Sequence, residues 1–213
     1  MDAEKNPLQQ TAEWFQDRIG FLTASRMIKI LPGARGQYLK SRADLLDDLV
    51  AERITGQLTE GFTTSAMQWG IDTEAEARTE YEVLTGEGVE LCGFIRHPSI
   101  AWLGASPDGL IGSNGVLEIK CPKTVTHLHY LANGTVPPEY RPQVLTQLLV
   151  TGRRWADFVS YDPRLGDEYA KHRIFRVRYT PTEEELKMVE AEAVKFLAEV
   201  DEKVKQYLEV LNA

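Results

Sequence analysis

The segment that most constrains the fold is residues 106–122, SPDGLIGSNGVLEIKCP. Two apolar runs, GLIG and VLEIKC, flank a Ser-Asn-Gly triplet, which predicts two antiparallel strands joined by a tight turn. The same segment carries Asp108, Glu118 and Lys120. Charged side chains are rarely buried unless they are paired. Two acids and an amine inside an apolar hairpin therefore indicate a functional site.

The predicted second strand has one polar and one apolar face. Glu118 and Lys120 are two residues apart, so their side chains leave the same face of the strand. Leu117, Ile119 and Cys121 leave the other face. The carboxylate and the ammonium are therefore expected to be neighbours.

The position of Asp108 depends on the turn. A three-residue loop at 113–115, with Gly115 in the left-handed region, would place Asp108 directly across from Lys120. A two-residue Asn-Gly turn would shift the register and point Asp108 to the opposite face. We predict the three-residue loop, because it alone gathers Asp108, Glu118 and Lys120 on one face.

Such a cluster is suited to a divalent cation. Two carboxylates held close together repel each other and tend to stay protonated unless a cation lies between them. Mg2+ binds one or two carboxylates, keeps several waters, and completes its shell with substrate phosphate oxygens. Lys120 would then be a fixed positive charge beside the metal, able to stabilise charge that develops on phosphorus. The alternative is an exposed hairpin that carries surface charges.

The order of elements predicts an α/β fold. Helical periodicity covers 38–56 and 65–86, two shorter helices are expected near 124–132 and 139–151, and a long amphipathic helix closes the chain from 182 to 211. Thr182 and Glu185 have capping-box spacing at the start of this last helix. Short runs rich in β-branched and aromatic residues lie between the helices. We expect one domain, 1–213, with a central mixed β-sheet flanked by helices.

Composition excludes a membrane or disordered protein. The chain is 43% hydrophobic and 26% charged, and it has no apolar run long enough to span a membrane. With Cys92 and Cys121 as the only cysteines, we expect a cytoplasmic protein. A zinc site built from these cysteines and nearby histidines lacks paired ligand spacing.

The charge of the chain is unevenly distributed. Its net charge is −8, of which residues 182–211 contribute nine acids and four bases. Residues 18–53 carry seven bases and four acids, and residues 141–178 carry eight bases and four acids. These two stretches would attract an anionic polymer if the fold brings them together. The alternative is scattered, solvated Lys and Arg side chains.

Several motifs of the chain, taken in order, resemble those of known protein families. SPDG followed by LEIKCP resembles the PD-(D/E)XK nuclease superfamily, which implies a restriction-endonuclease-like core. Five blocks in order resemble the family of phage lambda exonuclease and the YqaJ-type viral recombinases: EWFQDRIGFLTAS, WGIDTEAEAR, SPDG, LEIKCP and PQVLTQLLVTG. The blocks lie within about residues 13–165, which is most of the chain.

The resemblance implies roles for the hairpin and its surroundings. It makes Asp108, Glu118 and the backbone carbonyl of Ile119 metal ligands and Lys120 the catalytic lysine. It adds Glu74 as a further acidic ligand, although a solvated acidic face with Glu76 and Glu80 is the alternative. It also implies a positioning role for Gln143, with Gln147 one turn later on the same helix face.

The resemblance also implies a site for a DNA end. Arg18 matches the arginine with which the family holds a 5'-phosphate. Ser25 is expected to begin a helix whose free N–H groups also favour a phosphate, and an ordinary N-cap is the alternative. The chain departs from the family where an arginine is expected shortly after the lysine strand. Lys123, His127 and His129 are the candidates for that contact.

By resemblance, the protein is a Mg2+-dependent exonuclease, with two metals per active site and Mn2+ as a possible substitute. It would degrade the 5'-ended strand of double-stranded DNA from its ends and leave 3' overhangs. A ring-shaped homotrimer and a single-strand-annealing recombinase partner are also implied. A restriction or repair endonuclease and a non-catalytic DNA-end-binding module are the alternatives.

Overall fold

The computed structural model of the chain describes residues 9–33, 35–59 and 65–213. The α-helices are α1 Ala12–Asp17, α2 Lys40–Thr55, α3 Ser65–Thr85, α4 Thr124–Asn133, α5 Arg141–Thr151 and α6 Glu183–Leu211. Two short 3-10 helices span Ala24–Lys29 and Asp167–His172. The strands are β1 Leu22–Thr23, β2 Val89–Glu90, β3 Ile95–Arg96, β4 Leu103–Ala105, β5 Gly109–Ile111, β6 Gly115–Lys120, β7 Trp155–Tyr161 and β8 Ile174–Tyr179.

The main sheet is mixed, as expected. Its strand order is β2-β5-β6-β7-β8, in which β6 and β7 are parallel and the other neighbours are antiparallel. A second sheet, β1-β4-β3, was not predicted. Its strands are two or three residues long, too short for an alternating pattern to be read from the sequence.

Both faces of β6 carry apolar side chains, and a helix packs on each face of the main sheet to bury them. Leu117 and Ile119 pack with Ala77 and Tyr81 of α3. Val116, on the opposite face of β6, lies in a separate cluster with residues of α5. Each fully buried aliphatic side chain of this kind stabilises the fold by about 1.5–3 kcal/mol. These two layers set the positions from which α3 and α5 reach the polar end of β6.

The predicted helix boundaries are confirmed where local signals are strong. α2 ends at Gly56, which has the left-handed φ of 66° that terminates the helix. α6 begins at a capping box, in which Thr182 accepts from the Glu185 amide and Glu185 accepts from the Thr182 amide. No helix in the described part of the chain has the length and apolar character needed to cross a membrane.

The hairpin register differs from the prediction. Ile111 pairs with Gly115, so the loop comprises residues 112–114 and the left-handed residue is Gly112, with φ of 48°. Gly115 instead begins β6, where a Cβ atom would lie 2.2 Å from the Trp155 ring. The predicted loop position and the direct opposition of Asp108 to Lys120 were therefore wrong. The loop nevertheless has the predicted three residues, and extending the observed register places Asp108 across from Glu118, two residues before Lys120 and on the same face.

Candidate active site

The predicted acidic and basic groups converge at one edge of the main sheet. β6 runs parallel to β7, so both strands end at this edge, and the antiparallel β5 begins there. Asp108 directly precedes β5, and Lys120 is the last residue of β6. The topology thus brings residues from two antiparallel strands to the same place.

Glu118 is held by donors from the helix behind it. Its side chain is 0% exposed, yet each oxygen is engaged. Gln143 donates to Oε1 at 2.6 Å and Gln147 donates to Oε2 at 2.5 Å, both from α5. Lys120 Nζ lies 2.5 Å from Oε1. A buried carboxylate needs such partners, so the two glutamines fix its orientation. The resemblance gave the positioning role to Gln143 and noted Gln147 on the same helix face, and both glutamines bond Glu118.

The Asp108 side chain reaches across to the backbone of β6. Its Oδ2 accepts the Ile119 amide at 2.6 Å, where a neighbouring strand would offer a carbonyl. Burial raises the pKa of the Asp108 carboxyl well above its usual value, and the nearby Glu118 and Glu74 charges raise it further. A cation at this position would relieve both effects.

The backbone of Ile119 is open toward the same position. In a strand, the N–H and C=O of one residue point toward the same neighbour. The Ile119 amide points to Asp108, so its carbonyl points to the same side, past the start of β5. Ile119 lines the cleft described below. This geometry fits the expected role of its carbonyl as a ligand.

Lys120 completes the polar end of β6. Its ammonium pairs with Glu118 and lies 5.1 Å from the centroid of the Tyr140 ring. Burial lowers the pKa of Lys120, but the negative charges of Glu118 and Asp108 outweigh burial and raise the pKa above its usual value. The neighbouring carboxylates therefore favour the ammonium form of Lys120.

Glu74 is the acid of α3 that faces the site. It lines the cleft and accepts from Arg78 Nη1 at 3.3 Å. Burial raises its pKa, which Arg78 lowers in part and Glu118 raises. By contrast, Glu76 is exposed and accepts from the Tyr161 hydroxyl, and Glu80 is exposed. The acidic-face alternative thus applies to Glu76 and Glu80.

The donor set fits Mg2+ better than a softer or fully protein-coordinated metal. Among the described residues, no three His, Cys, Asp or Glu side chains form a ready cluster around one point. Two carboxylates, a backbone carbonyl, water and phosphate oxygens are the ligands that Mg2+ prefers. Asp108, Glu118 and Ile119 can supply the protein's share of these ligands, with Glu74 as a further acid.

A cleft of about 1040 Å³ opens at this edge of the sheet. Among the described residues, five basic side chains and two acidic side chains line it: Arg18, Arg26, Lys120, Lys123, Arg164, Glu74 and Asp108. Positive charge concentrated in a cleft attracts polyanions even when the whole chain is acidic. Of the two basic stretches of the sequence, the first contributes Arg18 and Arg26 to the cleft and the second contributes Arg164.

Arg18 lies in a pocket of this cleft, where no described carboxylate is hydrogen-bonded to it, although the Glu52 charge acts on it. Its Nη1 donates to the Ser106 hydroxyl at 3.0 Å, and its guanidinium lies 4.1 Å from the Trp14 ring centroid. Burial and, after it, the nearby Arg26 charge lower the pKa of Arg18 to about 10, although the Glu52 charge partly opposes them. An anion that reached this pocket would offset both costs.

Two residues of this pocket were missed from the sequence. Glu52 is 0% exposed and accepts from the Gly20 amide at 2.8 Å, from Arg26 at 3.0 Å and from Thr59 at 3.0 Å. It thereby ties Arg26 and the loop after Arg18 to α2. Glu52 and Arg26 are 26 residues apart and look like ordinary helix-surface charges, so no local signal identifies the pair.

Ser25 lies on the first turn of the 3-10 helix Ala24–Lys29, whose N-cap is Thr23. Its side chain is exposed, and its hydroxyl lies 3.3 Å from the Thr23 hydroxyl. It does not contribute to the lining of the cleft in the described part of the chain. The structure thus brings Arg18, but not the Ser25 side chain, into the cleft.

The three residues that could replace the missing arginine differ in burial and in their position relative to the cleft. His127 is fully buried between the Ser160 hydroxyl and the His172 carbonyl, each at 2.7 Å. His129 is exposed and does not line the cleft, whereas Lys123 does. Arg164, from the segment after β7, also lines the cleft and was not indicated by the sequence.

Comparisons with known proteins agree with this architecture. A family model described as the YqaJ-like viral recombinase domain matches residues 13–154. The alkaline exonuclease LHK-Exo from Laribacter hongkongensis superposes with a TM-score of 0.85 at 40% identity, over 95% of this chain and 98% of that chain. LHK-Exo in complex with dAMP gives the same coverage and TM-score at 41% identity.

A more distant structure shares the fold. A phage-related exonuclease from Haemophilus somnus 129PT superposes with a TM-score of 0.65 at 12% identity, over 88% of this chain and 96% of that chain. A search of curated protein sequences gave no significant match.

Proposed function

The chain belongs to the YqaJ-like viral recombinase family, and on that premise we propose that it is a Mg2+-dependent exonuclease that degrades the 5'-ended strand of double-stranded DNA. Because the chain is related to alkaline exonucleases, it is assigned in general terms as a nuclease. The finer assignment is carried by one observation: Asp108, Glu118 and Lys120 share a sheet edge with a cleft that also contains Arg18. The whole chain, 1–213, would form the nuclease domain.

The acidic residues bind the divalent ions. Asp108, Glu118, the Ile119 carbonyl and Glu74 would hold Mg2+, two ions per site, with Mn2+ as a possible substitute. When bound, the ions supply Lewis-acid charge that activates water and stabilises the leaving oxygen. Gln143 and Gln147 orient the Glu118 carboxylate through their amide N–H groups. Such outer partners are typically important for metal affinity.

Lys120 stabilises the reacting phosphate. Its ammonium is fixed two residues after Glu118 on the same face of β6, and the neighbouring carboxylates favour its charged form. On substrate binding it would turn from Glu118 toward the attacking water and the non-bridging oxygens. A preorganised positive charge at that position stabilises the charge that develops on phosphorus.

Arg18 would define the 5' polarity by binding the terminal phosphate. An arginine fork suits bidentate phosphate recognition, and no described carboxylate is hydrogen-bonded to the Arg18 guanidinium. Ser25 and the amides at the start of its helix would add donors if the DNA end reaches that surface. LHK-Exo was solved with dAMP, the kind of mononucleotide that removal of a 5'-terminal nucleotide releases.

Degradation of the 5'-ended strand leaves a 3' single-stranded overhang. We propose that this overhang is the substrate of a single-strand-annealing recombinase partner in DNA recombination. A homotrimeric ring around the DNA would keep the enzyme on its substrate although the chain is acidic overall. The acidic helix α6 would then face away from the channel.

End-labelled duplex tests the proposal. Purified protein with Mg2+ should release mononucleotides from a linear duplex, should prefer a 5'-phosphate to a 5'-hydroxyl, and should leave a closed circle intact. Lys120→Ala should bind DNA and metal but cleave at least ~100-fold more slowly, as for loss of one preorganised charge. Lys187→Ala, which removes an exposed lysine of α6 paired with Glu183, is the matched control and should keep full activity.

The substrates separate this proposal from other functions. Cleavage of the closed circle would identify an endonuclease. Binding of the linear duplex with no cleavage of either substrate would identify a non-catalytic DNA-binding module. Full activity in Lys120→Ala would exclude the assigned site.

A further inference from the structure

We propose that Arg164 binds the backbone of the cleaved strand on the far side of the scissile phosphate from Arg18. This inference rests on the proposed nuclease function, because it requires DNA to lie in the cleft. Arg164 follows β7 and lines the cleft together with Lys120 and Asp108.

The guanidinium of Arg164 is held in a fixed orientation. Its Nε donates to Asp162 Oδ1 at 2.6 Å and its Nη2 donates to the Pro122 carbonyl at 2.6 Å. The guanidinium carbon lies 4.7 Å from the centroid of the Trp69 ring. Nη1 has no hydrogen-bond partner among the described residues, and the side chain is 41% exposed. Arg164 is thus oriented by its neighbours and still has donors to offer.

Sheet topology places Arg164 and Arg18 on opposite sides of Lys120. Arg18 bonds Ser106, which precedes β5, and β5 lies on one side of β6. Arg164 follows β7, which lies on the other side of β6. Neighbouring strands are separated by ~4.8 Å, so the two arginines flank the strand that carries Lys120. A strand whose 5' end lies at Arg18 and whose scissile phosphate lies at Lys120 would continue toward Arg164.

This placement also accounts for the missing arginine. Arg164 is hydrogen-bonded to Pro122, two residues beyond Lys120. Arg164, from the segment after β7, therefore lies beside the residues that follow β6, where the family resemblance places an arginine. Lys123, which is exposed at the same side of the cleft, would add charge without a fixed orientation.

The chain contains a matched control outside the cleft. Arg178 lies 3.5 Å from the Trp155 ring centroid and pairs with the buried Asp157 at 2.8 Å. Its side chain is 43% exposed, close to the value for Arg164. Trp155 and Arg178 lie at the other end of β7 and do not line the cleft. Both arginines have the same kind of partners, but only Arg164 faces the proposed DNA site.

The test compares Arg164→Gln, Arg164→Lys and Arg178→Gln. We would measure kcat/KM on duplexes with a 5'-phosphate and a 5'-hydroxyl over a range of salt, and DNA affinity by fluorescence anisotropy in EDTA. Arg164→Gln should lose about tenfold or more in kcat/KM on both duplexes alike. Its salt slope for binding should fall by about 1. Arg164→Lys should keep the slope but lose part of the rate, because lysine lacks the planar fork.

Arg178→Gln should keep kcat/KM and the salt slope within twofold. In thermal unfolding, however, it should lose about as much stability as Arg164→Gln. Equal behaviour of Arg164→Gln and Arg178→Gln in the DNA assays would overturn the inference. A loss confined to the 5'-phosphate duplex would also overturn it, because Arg164 would then belong to the end-binding pocket. If the unmodified protein binds DNA but does not cleave it, the nuclease proposal fails while anisotropy still tests Arg164.

Discussion

Glu52→Gln is the substitution expected to damage the Arg18 pocket most with the least change in shape. The glutamate is fully buried on α2 and accepts hydrogen bonds from the Gly20 amide, the Thr59 hydroxyl and the Arg26 guanidinium. A glutamine has the same volume, but its NH2 group would face these donors. Arg26 would lose its counter-charge, and at least one buried donor would lose its acceptor.

The expected destabilisation follows from this geometry. Removing one partner of a buried ion pair costs about 3–5 kcal/mol. Because Arg26 is 25% exposed and can partly reach solvent, we expect the lower end, about 3 kcal/mol. At ~2–4 °C per kcal/mol for a chain of this size, the Tm should fall by about 6–12 °C.

Glu199→Gln is the control for this experiment. Glu199 also forms a two-point pair, with Arg42 at 2.7 and 2.8 Å, but its side chain is 39% exposed. Water can replace the Glu199 carboxylate, but the Arg42 side chain is 10% exposed. The cost should therefore lie between that of an exposed pair, about 1 kcal/mol or less, and the ~3 kcal/mol expected at Glu52, and its Tm should fall by less than that of Glu52→Gln. Thermal unfolding followed by circular dichroism measures both. If Glu52→Gln costs no more than Glu199→Gln, the network does not organise the pocket as we argue.

Two further predictions concern the main sheet. Gly115→Ala should cost about 1–3 kcal/mol through overpacking against Trp155, and Trp155→Phe in the same chain should recover part of it. Gly88→Ala, where no atom lies within 4 Å of the new Cβ, should be nearly neutral in the same urea titration. Equal costs for the two glycines would contradict the packing argument. Burial raises the pKa of Asp157, but hydrogen bonds from Arg178 and Tyr81 outweigh it and leave the pKa below its usual value. Its contribution to stability is therefore complete above the unfolded pKa of ~3.9 and is lost as pH falls through the lower folded pKa. The Tm difference between the unmodified protein and Asp157→Asn should shrink below pH ~4, and a constant difference would refute this assignment.

Features with a local physical cause could be predicted from the sequence. The helices α2, α3 and α6 have long periodic stretches with clear start or stop residues, and their bounds agree with the expectation. The alternation along β6 correctly placed Glu118 and Lys120 on one face, because the period of a strand is two. The family blocks then identified Glu74 among three candidate glutamates.

Features that depend on distant contacts could not be predicted. The hairpin register was wrong because Gly115 is required for the close approach of Trp155, which lies 40 residues later. Arg164 and Glu52 reach the site through contacts with residues that are distant in the sequence. Arg164 donates to the Pro122 carbonyl, and Glu52 accepts from the Gly20 amide. A charged residue whose partner lies in another element has the same local pattern as a solvated one.

β5 is only three residues long, and its length affects which substitutions the site tolerates. β5 covers β6 only from Gly115 to Leu117, and beyond that point a side chain, Asp108, replaces the missing backbone acceptor. In the observed register Pro107 would face Ile119, and proline has no N–H, so even a longer β5 could not pair with the Ile119 carbonyl. The proposed metal ligand at Ile119 thus depends on an incomplete ladder, so substitutions that lengthen the hairpin, including replacement of Pro107, should make the protein more regular and less reactive.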